Sequence, residues 1–185
     1  LHTLYSDLFY QPPGGLTEEQ YREDPTQARP ASKAQNASID QQYFFLGLSH
    51  DYQLTDRLGN ITSVYLNNGT KENPFITNWE LERLKGYGGR TKFYYDALFG
   101  SVPGRITLGG ELQSGDFHAN NHGNNAGVPD TLRYEDALQS LNAFGFGQVE
   151  LDLPQRWFFT VGTSINYLRY NIQRLQDAAS DTSYA

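Results

Sequence analysis

The sequence predicts an all-β chain, an antiparallel meander of about seven strands, and three observations carry that prediction. Side-chain character alternates every second residue over several segments. The joints between those segments alternate as well, a tight turn followed by a long polar loop. No apolar run approaches the ~18 residues that a membrane helix needs.

The elements follow in order. His2 to Tyr10 reads as a weak first strand, and Gln11 to Ser38 as a long polar loop stiffened by prolines 12, 13, 25 and 30. From Phe44 to Leu54 the even positions are Phe44, Leu46, Leu48, His50, Tyr52 and Leu54, with Phe45, Gly47, Ser49, Asp51 and Gln53 between them. One face is largely apolar and the other polar or small. Asn60 to Asn68 is a weaker strand. Tyr87, Gly89, Thr91, Phe93, Tyr95, Ala97 and Phe99 then share a face opposite Gly88, Arg90, Lys92, Tyr94 and Asp96. Ile106, Leu108, Gly110 and Leu112 alternate with Arg105, Thr107, Gly109, Glu111 and Gln113. In Leu141 to Leu153, Phe144 and Phe146 share parity with Gln148, Glu150 and Asp152, which suggests a bulge or a partly apolar interior. Trp157, Phe159, Val161, Thr163, Ile165 and Tyr167 form the apolar side of the last strand.

The joints fall into two populations. Thr55 to Gly59, Gly100 to Gly104 and Leu153 to Gln155 are short and rich in turn residues. Gln11 to Ser38, Asn67 to Lys85 and Ser114 to Gln139 are long and polar, and all fall at every second connection. They therefore emerge from one rim. Short turns on one side and long loops on the other describe an outer-membrane β-barrel of a Gram-negative cell, with short periplasmic turns and long extracellular loops.

The mean hydropathy of −0.62 is compatible with this, because a barrel strand gives only alternate residues to lipid. Thirteen Tyr, eleven Phe and two Trp are present, and Tyr43, Tyr52, Tyr87, Phe99, Trp157 and Tyr167 near strand ends suit a headgroup girdle. Ordinary β-propensity is the competing explanation for such residues. The net charge of −7, with no basic cluster, argues against nucleic acid. The absence of Cys removes disulfides, thiol catalysis and Cys-based metal sites. With no Met, no signal peptide, and a polar Gln173 to Ala185 that opens like another loop, the sequence is expected to be an internal stretch of a longer chain.

The run Tyr10-Gln11-Pro12-Pro13-Gly14-Gly15-Leu16-Thr17, followed by Gln20, Pro25 and Ala28-Arg29-Pro30, resembles a motif of TonB-dependent outer-membrane receptors of the ferric-siderophore type. The similarity continues through Glu72-Asn73-Pro74-Phe75, Tyr87 to Lys92 and Leu108 to Glu111, with Pro13 where the family often has Thr. The resemblance implies that residues 1–185 are part of a barrel of about 22 strands, with the plug domain and the remaining strands absent. It also implies active uptake of an iron-siderophore-type complex through the plug and the TonB complex, with membrane lipid and a ferric chelate as partners, no resident cofactor and no enzymatic reaction.

Arg90, Lys92, Arg105 and Glu111 are then expected to face the lumen, bonding the plug or pairing across strands. Tyr21, Arg22 and Arg29 are candidate contacts for an anionic ferric chelate. Asp116, His118 and His122 would hold a metal only if their segment were helical, and the surrounding Asn and Gly favour a loop. Two alternatives stay open: a small complete barrel acting as a pore or adhesin, and a soluble carbohydrate-binding or hydrolytic β-sandwich using Glu111, Glu150 and Asp152 as carboxylates.

Overall fold

The structure, a computed structural model, describes residues 1–177. Seven strands form one sheet in the order of the chain, β1 (His2–Tyr10), β2 (Ile39–Gln53), β3 (Leu58–Pro74), β4 (Asn78–Phe99), β5 (Val102–Asn125), β6 (Val128–Leu153) and β7 (Trp157–Asp177), each antiparallel to its neighbours. Among the described residues the sheet is open, with β1 and β7 at its edges. Two short helices, α1 (Glu18–Glu23) and α2 (Pro30–Ala34), lie in the connection between β1 and β2. Among the described residues no helix is long and apolar enough to cross a membrane, which says nothing of strands.

Register carries the sequence alternation across the whole sheet. Leu48, Val64, Gly89, Leu112, Ala143 and Tyr167 stand in one cross-strand row, and Leu58, Tyr95, Ile106, Val149 and Val161 in another on the same face. Among the described residues no second layer covers this face, and Leu48, Val64, Leu112, Val161 and Tyr167 are each more than half exposed. The opposite face carries the row Ser49, Ser63, Arg90, Glu111, Phe144 and Asn166. Within the apolar face, Asn60, Thr62 and Thr91 hydrogen-bond to one another, so their polar atoms are satisfied without a second layer.

The polar face is kept thin by aromatic rings laid over directly opposed glycines. Tyr94 covers Gly59, Tyr65 covers Gly88 and Phe146 covers Gly109; a Cβ on any of these glycines would fall within 2.5 Å of the opposing side chain. The ring occupies the space that a side chain would take and shields the bare backbone.

Two of the three long loops prove to be strands. Asn67 to Lys85 is the upper part of the β3–β4 hairpin, leaving only residues 75–77 as its tip, and Ser114 to Gln139 is the β5–β6 hairpin around residues 126–127. Polar residues predominate on both faces there, and the apolar ones, such as Leu81 on one face and Leu84, Phe117 and Leu138 on the other, do not keep to one side, so the period-2 signal disappears while the strand ladder continues. Ala126 (φ 53) and Gly127 (φ 91) make the two-residue, left-handed turn that matches the strand twist. The Gly100 to Gly104 turn shrinks likewise to Gly100 (φ 68) and Ser101, because Val102 already pairs with Phe99.

No bulge lies in Leu141 to Leu153; the irregularities fall at Asn121/His122, His122/Asn124 and Glu135/Asp136. Phe144 and Phe146 therefore stand on the polar face, as the partly apolar interior predicted. Tyr43 is a correction: it opposes Ser6 and Gly69 on the polar face, so it does not belong with Tyr52, Tyr87, Phe99, Trp157 and Tyr167 in a girdle. Of the expected terminal loop, Gln173 to Asp177 continues β7, and 178–185 lie outside the described residues.

Candidate functional site

Strands β4, β5 and β6 bring three of the four charged candidates into paired contacts on the polar face. Arg90 and Glu111 stand opposite each other, with Nη1 3.9 Å from Oε2. Glu111 also accepts a close hydrogen bond from Gln113 Nε2, and its side chain is only 11% exposed against 51% for Arg90. The Arg90 guanidinium lies 5.0 Å from the centre of the Phe146 ring, a cation–π contact. Arg105 grips Asp96 with two bonds, Nε to Oδ1 at 2.7 Å and Nη2 to Oδ2 at 3.1 Å, and stacks 4.9 Å over Tyr94. That parallel fork fixes orientation better than a single bond.

Lys92 stands opposite Gly109 and makes no ion pair among the described residues. It lines an open hollow of about 520 Å³, shared with Asp51, Arg90, Tyr94, Arg105, Phe146 and Glu150. The hollow can receive hydrogen-bonding groups of either sign. It does not assemble a glycosidase pair from Glu111 and Glu150: Glu150 pairs in register with Arg105, which places it about 20 Å along the sheet from Glu111.

Farther up the same face two ion pairs were not foreseen from the sequence. Lys71 Nζ donates to Glu82 at 3.0 Å, and Arg174 forks onto Asp136 while stacking 4.6 Å over Tyr134. Both couple residues of neighbouring strands in segments read as loops, so the cross-strand rule had no strands to act on.

The loop candidates sit in the β1–β2 connection, Tyr21 and Arg22 on α1 and Arg29 at the start of α2. The Thr17 hydroxyl and the Gln20 side chain cap α1 reciprocally, a local signature that fixes the helix after the Pro-Gly run. Arg22 pairs with Glu18 one turn earlier at 2.5 Å, and Tyr21 is exposed. Arg29 precedes α2, its N–H donating to Pro13 O at 2.7 Å. The loop's hollow, about 770 Å³, is lined by Gln11, Pro12, Pro13, Gln27, Ala28, Pro30, Ser32, Lys33, Asn36 and Ala37. Tyr21, Arg22 and Arg29 do not line it; its cation is Lys33.

Asp24 accepts from the Thr26 N–H at 2.8 Å and from its hydroxyl at 2.7 Å, and those bonds hold its carboxyl below the usual range. A depressed carboxylate supports its turn fully above the unfolded value and loses that support as pH falls through the folded one. The Thr26 amide is therefore expected to stay protected down to about pH 4 and to open only below it. NMR of that amide checks this; opening already between about pH 7 and about pH 5 would count against it.

Asp116, His118 and His122 lie on strand β5, not on a helix, so the i, i+4 geometry needed for a shared ligand face is not met. His118 and His122 are about 13 Å apart along the strand. His122 packs edge-on against Trp79 at 5.6 Å, and Asp116 accepts from Gln139. Among the described residues no cluster of three His, Asp or Glu is placed to hold a metal ion.

No family model and no curated protein matches the chain. Among solved structures it superposes on the ferric citrate transporter FecA in its unliganded form, with a TM-score of 0.79 over 92% of this chain. The chain is folded as a stretch of β-barrel wall. Identity to that transporter is 13%, so the likeness speaks for the fold alone, and the chain spans 27% of that protein's length. Arg90, Lys92, Arg105 and Glu111 thus occupy one face of a barrel-like wall, whose other face is the apolar one.

Proposed function

We propose that this segment is part of the wall of a TonB-dependent active transporter in the outer membrane of a Gram-negative bacterium, serving uptake of an iron-siderophore-type complex. The observation that carries the reading is the two-sided wall. Its exposed apolar face runs from Trp157 to Tyr167 on β7 and from Val102 to Leu112 on β5, close to the ~9–11 residues of a membrane-crossing strand. Lipid covers that face. The charged rows of Arg90, Lys92, Arg105 and Glu111 then border the lumen, where they meet a plug and the passing solute.

In such a protein the chain's residues bind, orient and exclude, and no bond in the solute is broken. The energy comes through the TonB complex, a partner reached by parts of the protein other than this wall. The likeness to a ferric citrate transporter and the run Tyr10 to Thr17 support iron chelates as the cargo class.

Uptake of labelled ferric citrate and of a neutral ferric hydroxamate, in cells carrying the full-length protein with and without TonB, tests this. Accumulation of at least one chelate that requires both proteins is expected. Equal entry with and without TonB would favour a passive pore and sink the proposal.

A further inference from the structure

Apart from Gly47 and Gly59, every buried residue among the described ones lies at the elaborate rim: Ser32, Ala37, Ser38, Pro74, Trp79 and Asn121. That rim is formed by three connections far apart in sequence, the loop between β1 and β2, the β3–β4 tip and the β5–β6 tip. One side chain touches all three. Asn124 Nδ2 donates one hydrogen to Gln35 O at 2.8 Å and the other to Phe75 O at 2.5 Å, while its Oδ1 accepts from Gly127 N at 2.8 Å.

We propose that Asn124 is a positioning residue, a latch that binds the three connections into one unit and holds the β1–β2 loop closed against the hairpin tips. The chemistry of the group fits that task. A primary amide has two donors and one acceptor oxygen, and here the donors meet two backbone carbonyls while the oxygen holds its own tight turn. Ala126 N–H adds a bond to Gln35 Oε1 at 3.0 Å, and Gln11 Nε2 one to Asn36 Oδ1 at 3.1 Å. Gly127 is required by the same closure, since a Cβ there would sit 2.7 Å from Asn36 Nδ2.

The latch is releasable because hydrogen bonds rather than a deep apolar core hold it. No large side chain in the described chain is fully buried. Such amide contacts open at modest free energy, so loss of the Asn124 bonds loosens the loop against the hairpin tips, although Ala126 N–H to Gln35 and Ser38 N–H to Pro74 O still tie it. This inference does not depend on the transport reading.

Limited trypsin digestion of the full-length protein tests it, because the loop carries its own reporter. Lys33–Ala34 lies in α2, whereas Arg29–Pro30 resists trypsin and Arg57–Leu58 sits on the opposite rim as an internal control. Asn124→Asp keeps the oxygen that accepts from Gly127 and removes both donors. It is expected to speed cleavage at Lys33–Ala34 about tenfold, with Arg57–Leu58 unchanged. Gln35→Ala, which removes only the side-chain contact to Ala126, is expected to give a smaller rise of about threefold. Cleavage at Lys33–Ala34 within about twofold of the parent in both variants, or a parallel rise at Arg57–Leu58, would overturn the latch.

Discussion

Gly109→Val is expected to cost the sheet about 3 kcal/mol, at the upper end of what overpacking does. A Cβ at that position falls 2.5 Å from Phe146 Cζ and 2.7 Å from the backbone carbonyl of Thr91. The ring has some freedom to move, although Arg90 stacks on it at 5.0 Å. The carbonyl has none, because it belongs to the β4–β5 ladder that runs in unbroken register from Asn78 to Phe99. Relieving the clash therefore means spreading two central strands, not rotating one side chain. Gly145→Ala is the matched control: it stands in the next row, and a Cβ there meets nothing closer than 3.8 Å. It is expected to stay within about 0.5 kcal/mol of the parent. Urea unfolding of the full-length protein in vesicles measures both. Equal midpoints for the two variants would mean that the aromatic-over-glycine pairs do not hold the wall together.

Those pairs also mark how far the sequence could be read. Parity alone found the two faces of β2, β4, β5 and β7, because within the apolar band each strand writes its orientation into alternate residues. It failed where the strands leave the band. From Asn67 to Lys85 and from Ser114 to Gln139 the few apolar residues fall on either face among polar ones, so hydrogen bonding keeps the chain extended without leaving a periodic trace. The one readable sign was Asn125-Ala126-Gly127, a short left-handed turn inside a segment taken for loop. Tyr43 shows the opposite limit: its place near a strand end suits a girdle, yet its odd parity, shared with Phe45, sets it on the polar face.

On the polar face the residues were legible, and so was pairing within the short-turned β4–β5 hairpin. Arg105 and Asp96 flank a short turn, so their pairing follows from hairpin register, and Arg90 with Glu111 follows from the same hairpin. The latch had no such local rule. Asn124 lies 89 residues from Gln35 and 49 from Phe75, and its partners are backbone carbonyls, which no residue type announces.

Leu108→Arg separates a wall in lipid from a sheet in water. Leu108 is 59% exposed, near the middle of the apolar stretch of β5, flanked in register by Phe93 and Gly147. On a sheet facing water, an exposed substitution of this kind shifts stability by no more than about 0.5 kcal/mol. At the midplane of a bilayer, an arginine on the lipid face of a barrel costs about 2–4 kcal/mol, since the guanidinium must drag water or headgroups toward it. His118→Arg supplies the comparison, on the same strand and the same parity but about 33 Å farther along, where the neighbouring side chains are Arg83 and Ala137. Standing opposite Arg83, it is expected to cost no more than about 0.5 kcal/mol through like-charge repulsion at an exposed position. In vesicle-embedded full-length protein the gap between the two variants should therefore be at least about 1.5 kcal/mol. A Leu108→Arg variant as stable as His118→Arg would place the apolar face against something other than lipid, and the outer-membrane reading would fall with it.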